Sequence, residues 1–148
     1  MSDNLFARLK AACQDDWQAY TGHDFVRQLA AGTLAQASFQ HYLGQDYLFL
    51  IHFARAYALA AYKTTDLGEM RSAVASLDGI LNTEMALHID FCQVWGLDET
   101  AMTAQREAKA TMAYTRFVLE TGMAGDSLDL YAALAPCVIG YGEIGAAL

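Results

Sequence analysis

A single proline in 148 residues, Pro136, leaves this chain with almost no forced interruption of backbone hydrogen bonding. Apolar residues recur at a period near 3.6 instead of alternating, which is the signature of helices with one buried face. The spacing predicts helices at about 3–20, 25–31, 38–63, 67–95, 99–121 and 127–147. They are separated by TGHD at 21–24, AGTL at 31–34, TTD at 64–66, WGLD at 95–98 and TGMAGD at 121–126. Gly supplies left-handed positions at such places and Asp or Ser supplies N-caps, with Ser38 and Asp126 as candidates. No repeat, low-complexity tract or linker divides the sequence. The expectation is one all-α domain over residues 1–148, a bundle of helices of mixed length.

Composition narrows the function classes. A net charge of -8 argues against nucleic acid, whose phosphates require clustered Lys and Arg. No run of eighteen residues lacks a charge or polar interruption, so no membrane span is expected. The start, MSDNLFARLK, has no basic stretch followed by an apolar run, and so no secretory signal. Three scattered cysteines, Cys13, Cys92 and Cys137, form neither a disulfide framework nor a C-x-x-C metal motif. These features fit a cytoplasmic protein whose partner is a small molecule or another copy of the chain.

Three polar positions interrupt faces that should be buried. On helix 38–63 the apolar stripe runs Phe39, Tyr42, Leu43, Asp46, Leu50, Phe53 and Tyr57. Asp46 must therefore find a donor, bind a polar ligand or shift its pKa. Phe49 could flank the same spot, or simply belong to the core. On helix 67–95, Leu77, Leu81, Glu84, His88, Phe91 and Trp95 share a side. Glu84 and His88, one turn apart, are either metal ligands or an internal pair. The spacing is Glu-x-x-x-His without a second copy, whereas di-metal bundles carry Glu-x-x-His with further carboxylates. On helix 127–147, Pro136 should kink the backbone beside Cys137, and Tyr141 lies one turn on. The thiol is a nucleophile with a positioning phenol, or a small buried hydrophobe; no Lys, Arg or His lies within a turn to favour thiolate.

The run GTLAQASFQHYLGQDYLFLIHFARAYALAAYK, followed by EMALHIDFCQVWGL, AYTRFVL and LAPCVIGYGEIG, resembles the TenA / thiaminase II family over nearly the whole chain. The departures are small: HDFV stands where HPFV is common, and AQ follows GTL where Pro-Glu is usual. The resemblance implies a heme-oxygenase-like helical bundle. It implies hydrolysis of aminopyrimidines from thiamin breakdown, or of thiamin itself, to a hydroxymethylpyrimidine for salvage, without cofactor or metal. Cys137 then corresponds to the family's nucleophile, and the aspartate of QDY, Asp46, to the residue that holds a ring nitrogen. Tyr141 and Tyr114 correspond to pocket tyrosines, and Phe49 to the aromatic that flanks the ring. Phe keeps the stacking surface there but cannot donate a hydrogen bond.

Family members usually continue for several more helices, which contribute a pocket tyrosine and a proton-donor glutamate. Glu143, two residues past Tyr141, points away from the Cys137 face and does not replace that glutamate. The bundle is thus expected to lack its last helices, with an exposed apolar end, and to associate as a homotetramer. Two other readings compete with the hydrolase. One is a non-catalytic aminopyrimidine- or thiamin-binding module using Asp46, Phe49, Tyr114 and Tyr141. The other is a metal-dependent oxidase using Glu84 and His88.

Overall fold

The computed structural model describes residues 4–148, which form nine α-helices and one π-helical segment, with no strand among them. The helices are α1 (Leu5–Ala12), α2 (Gln14–Thr21), α3 (Asp24–Ala30), α4 (Gln36–Lys63), α5 (Leu67–Gly79), α6 (Met85–Gln93), α7 (Glu99–Thr103), α8 (Lys109–Ala124) and α9 (Ser127–Ala147). The π segment, Ile80–Glu84, joins α5 to α6. Side-chain caps start several helices: the carboxylates of Asp66, Asp98 and Asp126 each accept from a backbone N–H of the first turn. Ser38 is no cap, because α4 already begins at Gln36. Gly96, with φ 74°, closes α6 in a left-handed turn where Leu97 N–H reaches back to the Cys92 carbonyl.

Two expected helices are each split in two. The first breaks at Cys13, which ends α1 and starts α2. The second, expected over 99–121, breaks between α7 and α8. There the side chain of Gln45 on α4 replaces the lost helical bonds. Its oxygen accepts from Ala108 N–H at 2.7 Å and from the Thr111 hydroxyl at 3.0 Å, and its nitrogen donates to the Arg106 carbonyl at 3.1 Å. Gly44 leaves room for the Gln105 side chain, which a Cβ would meet at 2.2 Å.

The chain divides into two compact units. The larger spans Gln36–Ala135; the smaller holds the described residues up to Ala35 together with Pro136–Leu148, so α9 contributes to both. In the larger unit α4 is the central element, packed against α5, the π segment, α6, α7 and α8. One core group joins Leu43, Tyr47, Leu48, Cys92 and Met102, and a second joins Leu50, Ala54 and Ile80. The first residues of α9 add the buried Leu130, Ala133 and Leu134. In the smaller unit the Trp17 ring meets Phe6 and Tyr20 edge to face, at 5.5 and 5.9 Å between centroids.

α9 continues through Pro136 without ending, so the proline costs a backbone donor but does not stop the helix. At 21 residues and a mean hydropathy of 1.3, α9 is also long and apolar enough to cross a bilayer by length and composition alone. The two acids of α9, Asp129 and Glu143, sit near opposite ends, and the apolar stretch between them is shorter than the eighteen residues on which the sequence expectation rests.

Candidate functional site

The π segment sets the geometry of the first candidate cluster. Met85 N–H bonds to the Ile80 carbonyl five residues back instead of four. In an unbroken α-helix, residues twelve apart point about 120° away from each other. Here Ile80, 2% exposed, and Cys92, 0% exposed, are both buried, because the wider turn holds back the rotation of everything after it. The predicted stripe is corrected accordingly: Leu81 and Phe91 are exposed, and so is Glu84. His88, by contrast, is brought against α4.

There His88 meets Asp46. Its Nε2 lies 2.8 Å from Asp46 Oδ2, and the two side chains are only 16% and 12% exposed. The hydroxyl of Tyr42 lies 3.5 Å from the same oxygen. The other imidazole nitrogen, Nδ1, lies 2.8 Å from the Glu84 carbonyl. Burial works to lower the His88 pKa, but the hydrogen bonds to Asp46 and the Glu84 carbonyl, with the charges of Asp46 and Glu84, raise it above the ordinary histidine value. Glu84 is raised by desolvation and by the Asp46 charge, against the pull of His88. Glu84 and His88 thus act on each other through their charges, while the imidazole's hydrogen bonds go to the Glu84 backbone carbonyl and to Asp46. The histidine's carboxylate partner is Asp46, on another helix. Sequence reasoning singled out all three residues but missed this pairing, because the register of the π turn is not visible in the spacing.

The second cluster in this unit is aromatic. Phe49 stacks on Tyr114 of α8, with centroids 6.0 Å apart and planes 15° apart, and on Phe53 at 5.3 Å and 25°. The Tyr114 hydroxyl donates to the Ala133 carbonyl at 3.0 Å, in the turn of α9 just before the proline. Phe49, His52, Phe53, Thr115, Val118 and Leu134 line a largely apolar recess. Phe49 and Tyr114, predicted separately, are thus one stacked wall. Asp46 does not line that recess.

In the smaller unit, Cys137 is half-buried and Tyr141 is 46% exposed, one turn apart on α9. Tyr20 donates from its hydroxyl to the Pro136 carbonyl at 3.3 Å, and its ring occupies the space that a Cβ at Gly140 would fill. Glu143 accepts from Lys10 Nζ at 2.6 and 2.8 Å and from Trp17 Nε1 at 2.9 Å. These bonds hold its carboxyl below the usual glutamate range. Glu143 is therefore an ionised acceptor at neutral pH and has no proton to give. Of the other thiols, Cys92 is buried, which raises its pKa, and Cys13 is exposed.

Among the described residues no group of three or more His, Cys, Asp and Glu side chains is arranged to hold a metal ion. His88 illustrates why: both its ring nitrogens are engaged, one by a carbonyl and one by a carboxylate.

A crystal structure described as a TenA family transcription regulator, from Silicibacter sp. TM1040, superimposes with a TM-score of 0.93 at 52% identity, over 96% of this chain and 63% of its own. An uncharacterized protein of Haemophilus influenzae is 44% identical over 95% of this chain and 65% of its own length. The aminopyrimidine aminohydrolase of Halalkalibacterium halodurans is 38% identical over 96% of this chain and 63% of its own length. The chain thus spans less than two thirds of the length of these relatives. The shared fold is the all-α TenA, heme-oxygenase-like bundle. The TENA/THI-4/PQQC family model matches residues 10–148, and the chain belongs to that family.

Proposed function

We propose that this chain carries the site of an aminopyrimidine hydrolase of the thiaminase II type, with Cys137 as nucleophile. The observation that carries the reading is Asp46: an acid on the inner face of α4, nearly removed from water and held by His88 from a second helix. Asp46 binds the ring nitrogen and the adjacent amino group of the substrate. Phe49 and Tyr114 supply a stacking wall, and Tyr141 supplies a hydroxyl to the ring. The thiolate of Cys137 adds to a ring carbon and the displaced electron pair passes to the ring nitrogen. The bond from the ring's methylene arm to its amine then breaks and the amine leaves with a proton. Water adds to the same methylene carbon and the C–S bond breaks, returning the thiolate. The net change is one water consumed and one amine released. A cytoplasmic homo-oligomer acting in thiamin salvage, on aminopyrimidines and on thiamin, is part of this reading and rests on the family resemblance.

The second reading, a binding module without turnover, has its own support. Glu143 is ionised and tied to Lys10 and Trp17, so the smaller unit offers no carboxylic acid near the thiol in sequence to protonate a leaving amine. Loss of a general acid lowers a rate by about 10²–10⁴. Turnover of 4-amino-5-aminomethyl-2-methylpyrimidine, measured beside Cys137→Ala, separates the two. Release of hydroxymethylpyrimidine by the wild type and not by the variant is the expected result. Equal rates for both would end the cysteine mechanism, and saturable binding with no product from either would establish the binding module.

A further inference from the structure

We propose that His88 is a positioning residue that meets Asp46 as an imidazolium, so that Asp46 receives an aminopyrimidine ring as a carboxylate and the ring must bring its own ring proton. This rests on the reading above in one respect, that Asp46 holds the ring.

The argument is hydrogen-bond accounting. A backbone carbonyl only accepts, so the 2.8 Å contact between His88 Nδ1 and the Glu84 carbonyl places a hydrogen on Nδ1. A neutral imidazole would then present a bare lone pair at Nε2. An ionised carboxylate also has only lone pairs, and two acceptors do not sit 2.8 Å apart. One proton therefore lies between Nε2 and Oδ2. It belongs to the stronger base, and an ordinary imidazole outranks an ordinary aspartate by about 2.6 pKa units. The groups that face the pair favour the same distribution. Glu84, on the π segment, adds negative charge beside the imidazole, and Tyr42, on α4, brings a hydroxyl to Oδ2. Burial opposes the imidazolium, and the net direction for His88 is nonetheless upward.

The consequence falls on the ligand. A carboxylate held in this way can only accept. A neutral aminopyrimidine shows it one amino N–H beside a bare ring nitrogen, and that nitrogen would meet an oxygen lone pair. A ring protonated at that nitrogen shows two parallel N–H groups, which match the two carboxylate oxygens as a charge-assisted fork. Protonation also makes the ring the better electron sink for a thiolate. The site thus selects the cationic form, or draws a proton from solvent as the ring binds.

Two experiments on the intact chain test this. Nitrogen-15 NMR at pH 7 should show both His88 ring nitrogens protonated, and an unprotonated Nε2 would overturn the proposal without reference to any ligand. Calorimetric titration with 4-amino-5-hydroxymethyl-2-methylpyrimidine at pH 8, in buffers of different ionisation heat, should show uptake of about one proton per ligand bound. No uptake would overturn the proposal, since the pair would then be passing its own proton to the ring. His88→Gln keeps a neutral donor and removes the charge. It should shift the pH profile of affinity, whereas a parallel loss at every pH would reduce His88 to a packing residue and also overturn the proposal. Asp46→Asn separates the two levels of inference: wild-type affinity in that variant would sink the ring-holding reading itself, whatever the state of His88.

Discussion

Two carboxylates, one in each unit, sit in comparable surroundings of aromatic rings and a cation, and they lead different lives. Glu143 accepts three hydrogen bonds, two from Lys10 and one from Trp17, yet 37% of its side chain remains in water. Asp46 is 12% exposed and is met by His88 across two helices. Water competes for every bond that Glu143 makes, and an exposed pair gains little from its Coulomb energy after side-chain ordering is counted. At Asp46 water has been removed, so the protein itself must satisfy the charge. The number of partners is therefore a poor guide to importance. What distinguishes the two sites is how much solvent each carboxylate gave up, and a fold retains a costly desolvated acid only where something else depends on it.

The largest stability effect should follow from cutting the desolvated pair. Asp46→Ala leaves the His88 imidazole half-buried beside a vacant position, at a cost of about 2 kcal/mol. For a chain of this size that is a fall of roughly 4–8 °C in melting temperature. The cost should depend on pH, and the sign follows from the direction of the His88 shift. A histidine whose folded pKa is raised contributes stability in full below its ordinary value of about 6.5. That contribution is lost as pH rises through the raised folded value. Melting curves of wild type and variant should therefore be furthest apart near pH 6 and converge in alkaline buffer. Curves that separate further as pH rises would break the comparison, because Asp46 would then be stabilising something other than an imidazolium.

How much of this was legible beforehand depends on the range of the interactions. The helices and most of their ends were readable, because period, Gly and Asp act within a turn or two. Asp46 stood out as an acid on an apolar face, and Cys137, Tyr141, Tyr114 and Phe49 stood out through motif resemblance. The break between α7 and α8 did not, because Gln45, 61 and 63 residues away in sequence from the groups it meets, supplies the hydrogen bonds that stabilise it. The Asp46–His88 pair was hidden for a related reason. A period of 3.6 carried through residues 80–84 turns Cys92 away from the side of Ile80, and only the extra residue of the π turn brings the two buried side chains to the same side.

Gln45→Ala sharpens the contrast at the neighbouring position. Gln45 is uncharged, so its loss leaves orphaned backbone groups at Arg106 and Ala108 but no unpaired charge. The cost should be about 1–2 kcal/mol, smaller than that of Asp46→Ala in acid and insensitive to pH. Hydrogen exchange should localise the change to residues 104–108 and the start of α8. An effect as dependent on pH as that of Asp46→Ala would mean that the two adjacent side chains act as one network, and the charge would no longer be the distinguishing feature.

The smallest effect is expected at Glu143. Glu143→Gln keeps an acceptor for Trp17 and Lys10 and removes only the charge, which water and salt already screen. The depressed pKa of Glu143 gives it a stabilising contribution present above the ordinary glutamate value and lost as pH falls through the folded one, the reverse of His88. At neutral pH the melting temperature of Glu143→Gln should match the wild type, with only a change in Trp17 fluorescence to mark the altered neighbour. Any difference should appear at low ionic strength and vanish in 1 M salt. A loss that persists in high salt would show that this carboxylate is shielded from solvent after all, and the contrast between the two units would have to be drawn on some ground other than exposure.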